Sequence, residues 1–494
     1  MRNNDSKITR RQFLTGMPIF NDMPGVQLNK STTTTDPDLH LLNRISWGPR
    51  PDEVARIKKI GREAYLEEQL APEVIVDKQA ESRLKSLPIL NMDRAALYSF
   101  SEVDWRCQLS LTKGMILRAV HSKRQLLERM VEFWADHFNI IAMDEFAIDS
   151  VVYQRQAIRA HTLGNFRDML IETAKSPAMI YYLDNFNNVA EHPNENYARE
   201  LLELHTLGVD GGYTETDVKE AARALTGWTV HNKTRTGFYF DLAEHDQGEK
   251  TILGHRFPAG RGIEDGLHLL SLLANHPQTA RFVCTKLCVR FVSDNLPRSL
   301  VESLARVWMA NQGEIKPVLR HLFLSAEFQN SVGAKFRRPL DFFIGALRAT
   351  GTDFVDWWPA EEMLTELGQI PYNWGPPDGY PDTAESWIFT NGVLARWNTA
   401  MRLTHGAYSD PDWGWGLSSQ LRERIGNPDT VGELVDAVSE QVFGKRLEGE
   451  SRHPFVDYAS DGSGPQTSVD AHLLARKLGS LFGLMLASPL YQWR

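Results

Sequence analysis

A chain of 494 residues, 42% hydrophobic and 24% charged, has the composition of a globular protein long enough to bury a sizeable core. Its formal net charge of -9 argues against nucleic acid as the principal partner, because phosphate binding requires a basic surplus. No run approaches the roughly 18 apolar residues of a transmembrane span, and Cys107, Cys284 and Cys288 make no disulfide framework.

Residues 7–16 read KITRRQFLTG, in which Arg10 and Arg11 with Phe13 and Leu14 resemble a twin-arginine export signal. Asn21, Asp22 and two prolines break the apolar run that should follow, so a basic tail on a cytoplasmic protein is the alternative to a periplasmic or secreted one. Residues 1–37 are thus a leader or tail with a linker, and 38–494 are expected to form a single large helical domain, with a possible sub-boundary near 257–262.

From Asp38 the apolar residues recur at helical spacing. A long helical pattern over 112–140 ends in ERMVEFWADHFNI, where Met130, Phe133, Trp134 and His137 share one inward face. His137 is therefore either a hydrogen-bonded core residue or a functional one. Further helices are expected over 145–161 and 164–174.

The stretch His192 to Trp228 reads as a helical hairpin. Asn194 is placed to cap a helix over 195–207, Gly208 to stop it, and Gly211-Gly212 to turn the chain into a helix from Thr214. At about 100° per residue, Asn196, Arg199, Glu200 and Glu203 fall on one polar arc of an otherwise apolar helix. Partly buried carboxylates need partners: Arg199 pairing with Glu203 is the structural reading, and an acid-base site the functional one.

The segments HLLNRISWGPRPDE at 40–53, FWADHF at 133–138, NENYARELLELHTLGV from Asn194, HDQGEKTILG at 245–254, KFRRPLDF at 335–342 and LGQIPYNWGPPDGYPD at 367–382 together resemble a bacterial family known as domain of unknown function 1800. The likeness spans about 38–494 and implies a family whose members often carry export leaders, but no chemistry.

Residues 229–257 are the least helical, and alternation in TGFYFDL predicts a small β-hairpin or extended excursion on a mainly α, bundle-like body. This section carries His231, His245 and Asp246. Their wide separation fits no compact zinc pattern, so a divalent or transition metal held by His205, His231 and His245 is only a weak alternative. Helices resume over 262–275, 277–294, 298–311 and 315–328. Arg337 and Arg338 then precede a helix start at Pro339, where they either grip an anion or bridge to an acidic face.

Residues 353–387 interleave Trp374, Tyr380 and other aromatics with proline and glycine, as either a ligand-binding wall or a lid over the core. More helices follow over 388–408, 431–443 and 469–486. There is no phosphate loop, dinucleotide fingerprint or GxSxG elbow.

What fits is a hydrolase or lyase acting on a carbohydrate, other polymer or small-molecule ligand by carboxylate chemistry. Glu200 and Glu203 are its candidate carboxylates and His137 or Asp246 the further group. Asn196, Arg199, Trp134, Trp228, Trp374, Tyr380, Arg337 and Arg338 are the candidate binding residues. A metal or redox protein, with His137, His205, His231, His245 and Asp246 converging on one ion, is the second possibility. A noncatalytic binding or assembly protein of the cell envelope is the third.

Overall fold

The computed structural model describes residues 36–99, 103–231, 237–353, 357–405 and 417–494. Pro37–Arg494 forms one compact unit. The expected mainly α fold is what the structure shows, with two small two-stranded antiparallel sheets among the described residues. The arginine pair at 10–11 and residues 232–236 lie outside the described residues.

The anticipated excursion is a pair of hairpins. Trp228–Val230 pairs with Phe238–Phe240, and Lys250–Ile252 with His255–Phe257. Leu253 and Gly254 both adopt positive φ, +51° and +76°, the conformation that a two-residue turn matched to strand twist requires.

Two large apolar clusters divide the body. One is built from residues between Leu41 and Phe328, the other from Trp47, Met115 to Val120 and the segment from Leu340 to Tyr491. Helix Gln125–His137 runs along their seam. Leu126, Met130, Phe133 and Trp134 pack into the first cluster. Arg129, at the fourth position before Phe133, turns the other way, stacking over Trp47 of the second cluster at 4.4 Å and pairing with Asp341 of helix Pro339–Thr350.

Two neighbours complete the seam. Helix Pro277–Phe291 starts where His276 accepts a hydrogen bond from the Gln278 N–H and proline occupies the first turn. Helix Pro339–Thr350 starts in the same way at proline, with Asp341 accepting from the Arg338 N–H at 3.3 Å, and stops at Gly351 with φ +71°. The prolines fix where each helix begins, and so where Arg290 and Arg338 point.

The central hairpin departs from expectation in its winding. Asn196–Glu200 is α-helical, but Leu201–Thr206 is a π-helix in which the Leu207 N–H reaches back to the Leu202 carbonyl at 2.8 Å. The wider turn alters the phase after Glu200. Arg199 consequently pairs not with Glu203 but with Glu195 at 3.1 Å and, across the hairpin, with Glu215 at 2.7 Å. Thr214 and Asp217 cap the second helix reciprocally, as a Thr-x-x-Asp start allows.

Candidate active site

A polar stripe, Arg129, Glu132 and Asp136, rises along helix Gln125–His137 at spacings of three and four and meets cations from both neighbouring helices. Arg290 pairs with Glu132, with Asp136 at 3.1 Å and, through Nε, with Asp382 at 2.8 Å. Arg338 repeats the pattern with Glu132, with Asp136 at 2.9 Å and with Asp382 at 3.4 Å. Behind them Asp341 holds Arg129 and, at 3.0 Å, Arg494.

Asp136 and Asp382 share the same two guanidiniums and both open onto a cavity of about 340 Å³. The side chains of both keep 16% exposure, whereas Glu132 and Asp341 are sealed beneath. Phe133, His137, Lys286, Arg290, Trp374, Asp378 and Tyr380 are among the groups that complete the lining.

The outer wall is the 374–383 loop, and its shape follows from specific contacts. Asn139 donates to the Trp374 carbonyl at 2.8 Å and the Pro376 carbonyl at 2.7 Å, and the Tyr182 hydroxyl donates to the Gly375 carbonyl. Trp374 Nε1 donates to Asp378 at 2.9 Å. Gly379, at φ +74°, lies against the Asp136 carbonyl so closely that a Cβ would stand 2.0 Å from that oxygen. This contact sets Tyr380 and Asp382 beside Asp136, and the Trp374 and Tyr380 rings lie 4.8 Å apart.

Burial, then the neighbouring charge of Glu132, raises the Asp136 carboxyl to about 7. Burial alone would raise Asp382 as well, but Arg290 and Arg338, helped by Lys335 and Lys286, hold it below the usual carboxylate range. Two carboxyl groups on one pair of arginines therefore differ in protonation near neutrality, the pattern that divides acid from base. Burial also lowers the Lys286 ammonium to about 8 and the His137 imidazole well below its ordinary value. The His137 Nε2–H donates to the His205 carbonyl at 3.0 Å, which leaves Nδ1 as a buried lone pair with no hydrogen-bond partner.

Of the residues singled out in the sequence, His137, Trp374, Tyr380 and Arg338 belong to this assembly. The others do not. Glu200 and Glu203 are half-buried and lie outside the cavity lining, Glu203 near the Tyr213 hydroxyl at 3.5 Å. Asn196 is exposed and Arg199 is taken up by Glu195 and Glu215. Trp134 is fully buried with Nε1 donating to the Thr162 carbonyl, and Trp228 is buried against Gly266. Arg337 donates to the Tyr491 carbonyl at 2.8 Å and stacks on that ring, so it anchors the last turn of the chain instead of an anion.

The histidines do not converge on one point, although His205 packs against His137. His205 is buried among Phe138, Tyr197 and His137, His231 stacks edge-on to Tyr239, and His245 lies between Thr226 and Asp265. Asp246 is held by Arg223 at 2.7 Å and by the Gly248 N–H, which ties the loop to helix Glu215–Ala224. Among the described residues no group of three His, Cys, Asp or Glu side chains is arranged to hold a metal ion. No described helix is long and apolar enough to cross a membrane.

The segments FWADHF, KFRRPLDF and the WGPPDGYPD loop, which help to build the cavity, are among those that carry the family resemblance. The family model described as "Protein of unknown function (DUF1800)" matches residues 40–493. The chain belongs to the DUF1800 family. Neither the curated proteins nor the solved structures contain a match, so this DUF1800 protein takes no activity from a relative.

Asp136, Asp382, Lys286 and Arg290 were missed in the sequence. Asp136 had a readable signal: a charged stripe at positions 129, 132 and 136 in a helix whose remaining face is aromatic. Lys286 and Arg290 sit four apart in the strongly apolar pattern of 277–294, and Asp382 follows Pro381 in a loop. Nothing in their local sequence says that they meet.

Proposed function

We propose that this DUF1800 protein is an acid-base enzyme, a hydrolase or lyase of a carbohydrate-like polymer, and that Asp136 and Asp382 are its carboxyl pair. The observation that carries the reading is geometric: two carboxyl groups, fixed on the same two guanidiniums, face one open cavity walled by Trp374 and Tyr380. In such a pair the group that keeps its proton donates it to the departing oxygen, while the ionised partner stabilises positive charge or activates the attacking group. Asp136 takes the first role and Asp382 the second. The acid role passes from Glu200 to Asp136 because Asp136 opens onto the cavity.

The aromatic walls suit the flat, weakly polar faces of sugar rings, and the loop that carries them is pinned at Asn139, Tyr182 and Gly379. A site outside the cytoplasm fits a polymeric substrate, so export through the arginine pair at 10–11 is part of the same reading. Changing Arg10 and Arg11 to Lys should then leave the protein in the cytoplasm, as cell fractionation would show. Equal distribution of mutant and wild type would remove export from the account.

The activity itself is tested by release of new chain ends from a panel of neutral and acidic polysaccharides. Asp136→Asn and Asp382→Asn should each abolish whatever cleavage the wild type shows while retaining its circular dichroism and melting transition. A panel cleaved equally well by both variants would exclude the pair from catalysis. A folded wild type that cleaves nothing in a broad panel would favour a noncatalytic envelope protein.

A further inference from the structure

The charges at the seam match one for one. Glu132, Asp136, Asp341 and Asp382 face Arg129, Arg290, Arg338 and Arg494, and every one of these groups has an ion pair within the set. Lys286 stands outside the arrangement. Its side chain lines the cavity yet makes no ion pair or hydrogen bond with any described residue, and its ammonium stands over the face of the Phe282 ring at 5.7 Å.

Asp136, Asp378 and Asp382 act on Lys286 through space, as does Arg290, but no carboxylate has closed onto it. Asp378 is occupied by the Trp374 indole N–H and lies exposed on the loop. With Asp136 carrying its proton, the network and cavity together hold one positive charge more than negative: five cations, with Lys286, against Glu132, Asp341, Asp382 and Asp378. A cation kept unpaired and partly desolvated in the wall of a cavity is costly unless a ligand supplies its counter-charge.

From this unpaired ammonium facing a walled cavity beside the Asp136–Asp382 pair, we infer that the substrate is an anionic polymer and that Lys286 holds its carboxylate or sulfate group. This inference rests on the reading of the cavity as a substrate site. Lys286 is a specificity residue in this role, not a proton-transfer group. The anionic group pairs with Nζ, which brings the bond to be cleaved against Asp136 on one side and the Trp374 and Tyr380 rings on the other.

Calorimetric titration of the full-length protein tests it with three oligosaccharides of equal length, one of uronic acids, one sulfated and one neutral. The better of the two acidic probes should bind about tenfold to a hundredfold more tightly than the neutral one, the range expected for one charge-assisted contact. Lys286→Met should abolish that preference and Lys286→Arg should retain part of it. Which acidic probe binds decides between carboxylate and sulfate.

Binding should also weaken as the pH rises past about 8, where the ammonium of the free protein loses its proton. Neutral and acidic probes binding alike, Lys286→Met keeping the preference, or neither acidic probe binding would each overturn the inference. Asp136→Asn separates the two claims. It should still bind the acidic probe: turnover lost with binding intact supports both claims, whereas binding with unaltered turnover strikes at the acid-base reading and leaves the Lys286 inference standing.

Discussion

Asp136 differs from an ordinary salt-bridged aspartate because Glu132, one turn earlier, competes with it for the same two arginines. As the general acid it must be protonated, so turnover should fall as the pH rises through about 7. On the acidic side the rate should hold until Asp382 takes up a proton, below the usual carboxylate range. Replacing Glu132 by Gln removes the main charge that raises Asp136 and leaves two guanidiniums free to stabilise its ionised form. The alkaline limb of the pH-rate profile should therefore move toward lower pH. An unmoved limb would mean that a group other than Asp136 sets it. The same sign governs stability: a carboxyl raised by folding contributes most at low pH, and this contribution is lost as the pH climbs to about 7.

At the scale of single elements, the 374–383 loop is the part on which the site's geometry depends most directly. Gly379→Ala would place a methyl group on the Asp136 carbonyl at a backbone angle that disfavours any side chain. It should cost about 1–3 kcal/mol in a denaturant titration and displace Tyr380 and Asp382 from the cavity. Unchanged stability and turnover would show that the loop does not need this close approach. The helical hairpin from His192 to Trp228 shows where sequence periodicity fails. Its helix was readable from Asn194 to Gly208, but the π turn from Leu201 to Thr206 was not, because apolar spacing is too coarse to register one extra residue per turn. The polar arc drawn through Asn196, Arg199, Glu200 and Glu203 assumed even winding, and the assumed Arg199–Glu203 pair was lost with it. By contrast, the cap at Thr214, the proline at 339 and the hairpin after Trp228 are local signals, and each element starts where those residues indicate.

Across the whole molecule, the ion network joins two apolar clusters that would otherwise meet only through side-chain packing. Asp341 is at its centre, fully buried, with Arg129, Arg494 and Arg338 holding it well below the usual carboxylate range against the effect of burial. Asp341→Ala would strand the Arg129 and Arg494 guanidiniums and should cost about 3–5 kcal/mol, with the two clusters losing their shared transition in a denaturation curve. A cost near zero would show the network to be unimportant for the fold. This division of labour explains why the helical body was legible in the sequence and the site was not. Helices and caps are written in neighbouring residues. The cavity joins positions 136, 286, 338 and 382, whose proximity depends on the packing of three helices and a loop. Sequence inspection found the aromatic side of the FWADHF helix, with His137, and the Trp374 and Tyr380 wall. It passed over the carboxyl group between them. The account is tested most directly by turnover of Asp136→Asn and Glu200→Gln, both confirmed as folded, on the same cleaved polysaccharide. Asp136→Asn should lose about 10²–10⁴-fold while Glu200→Gln stays near wild type; full activity in Asp136→Asn, or its loss only in Glu200→Gln, would contradict it.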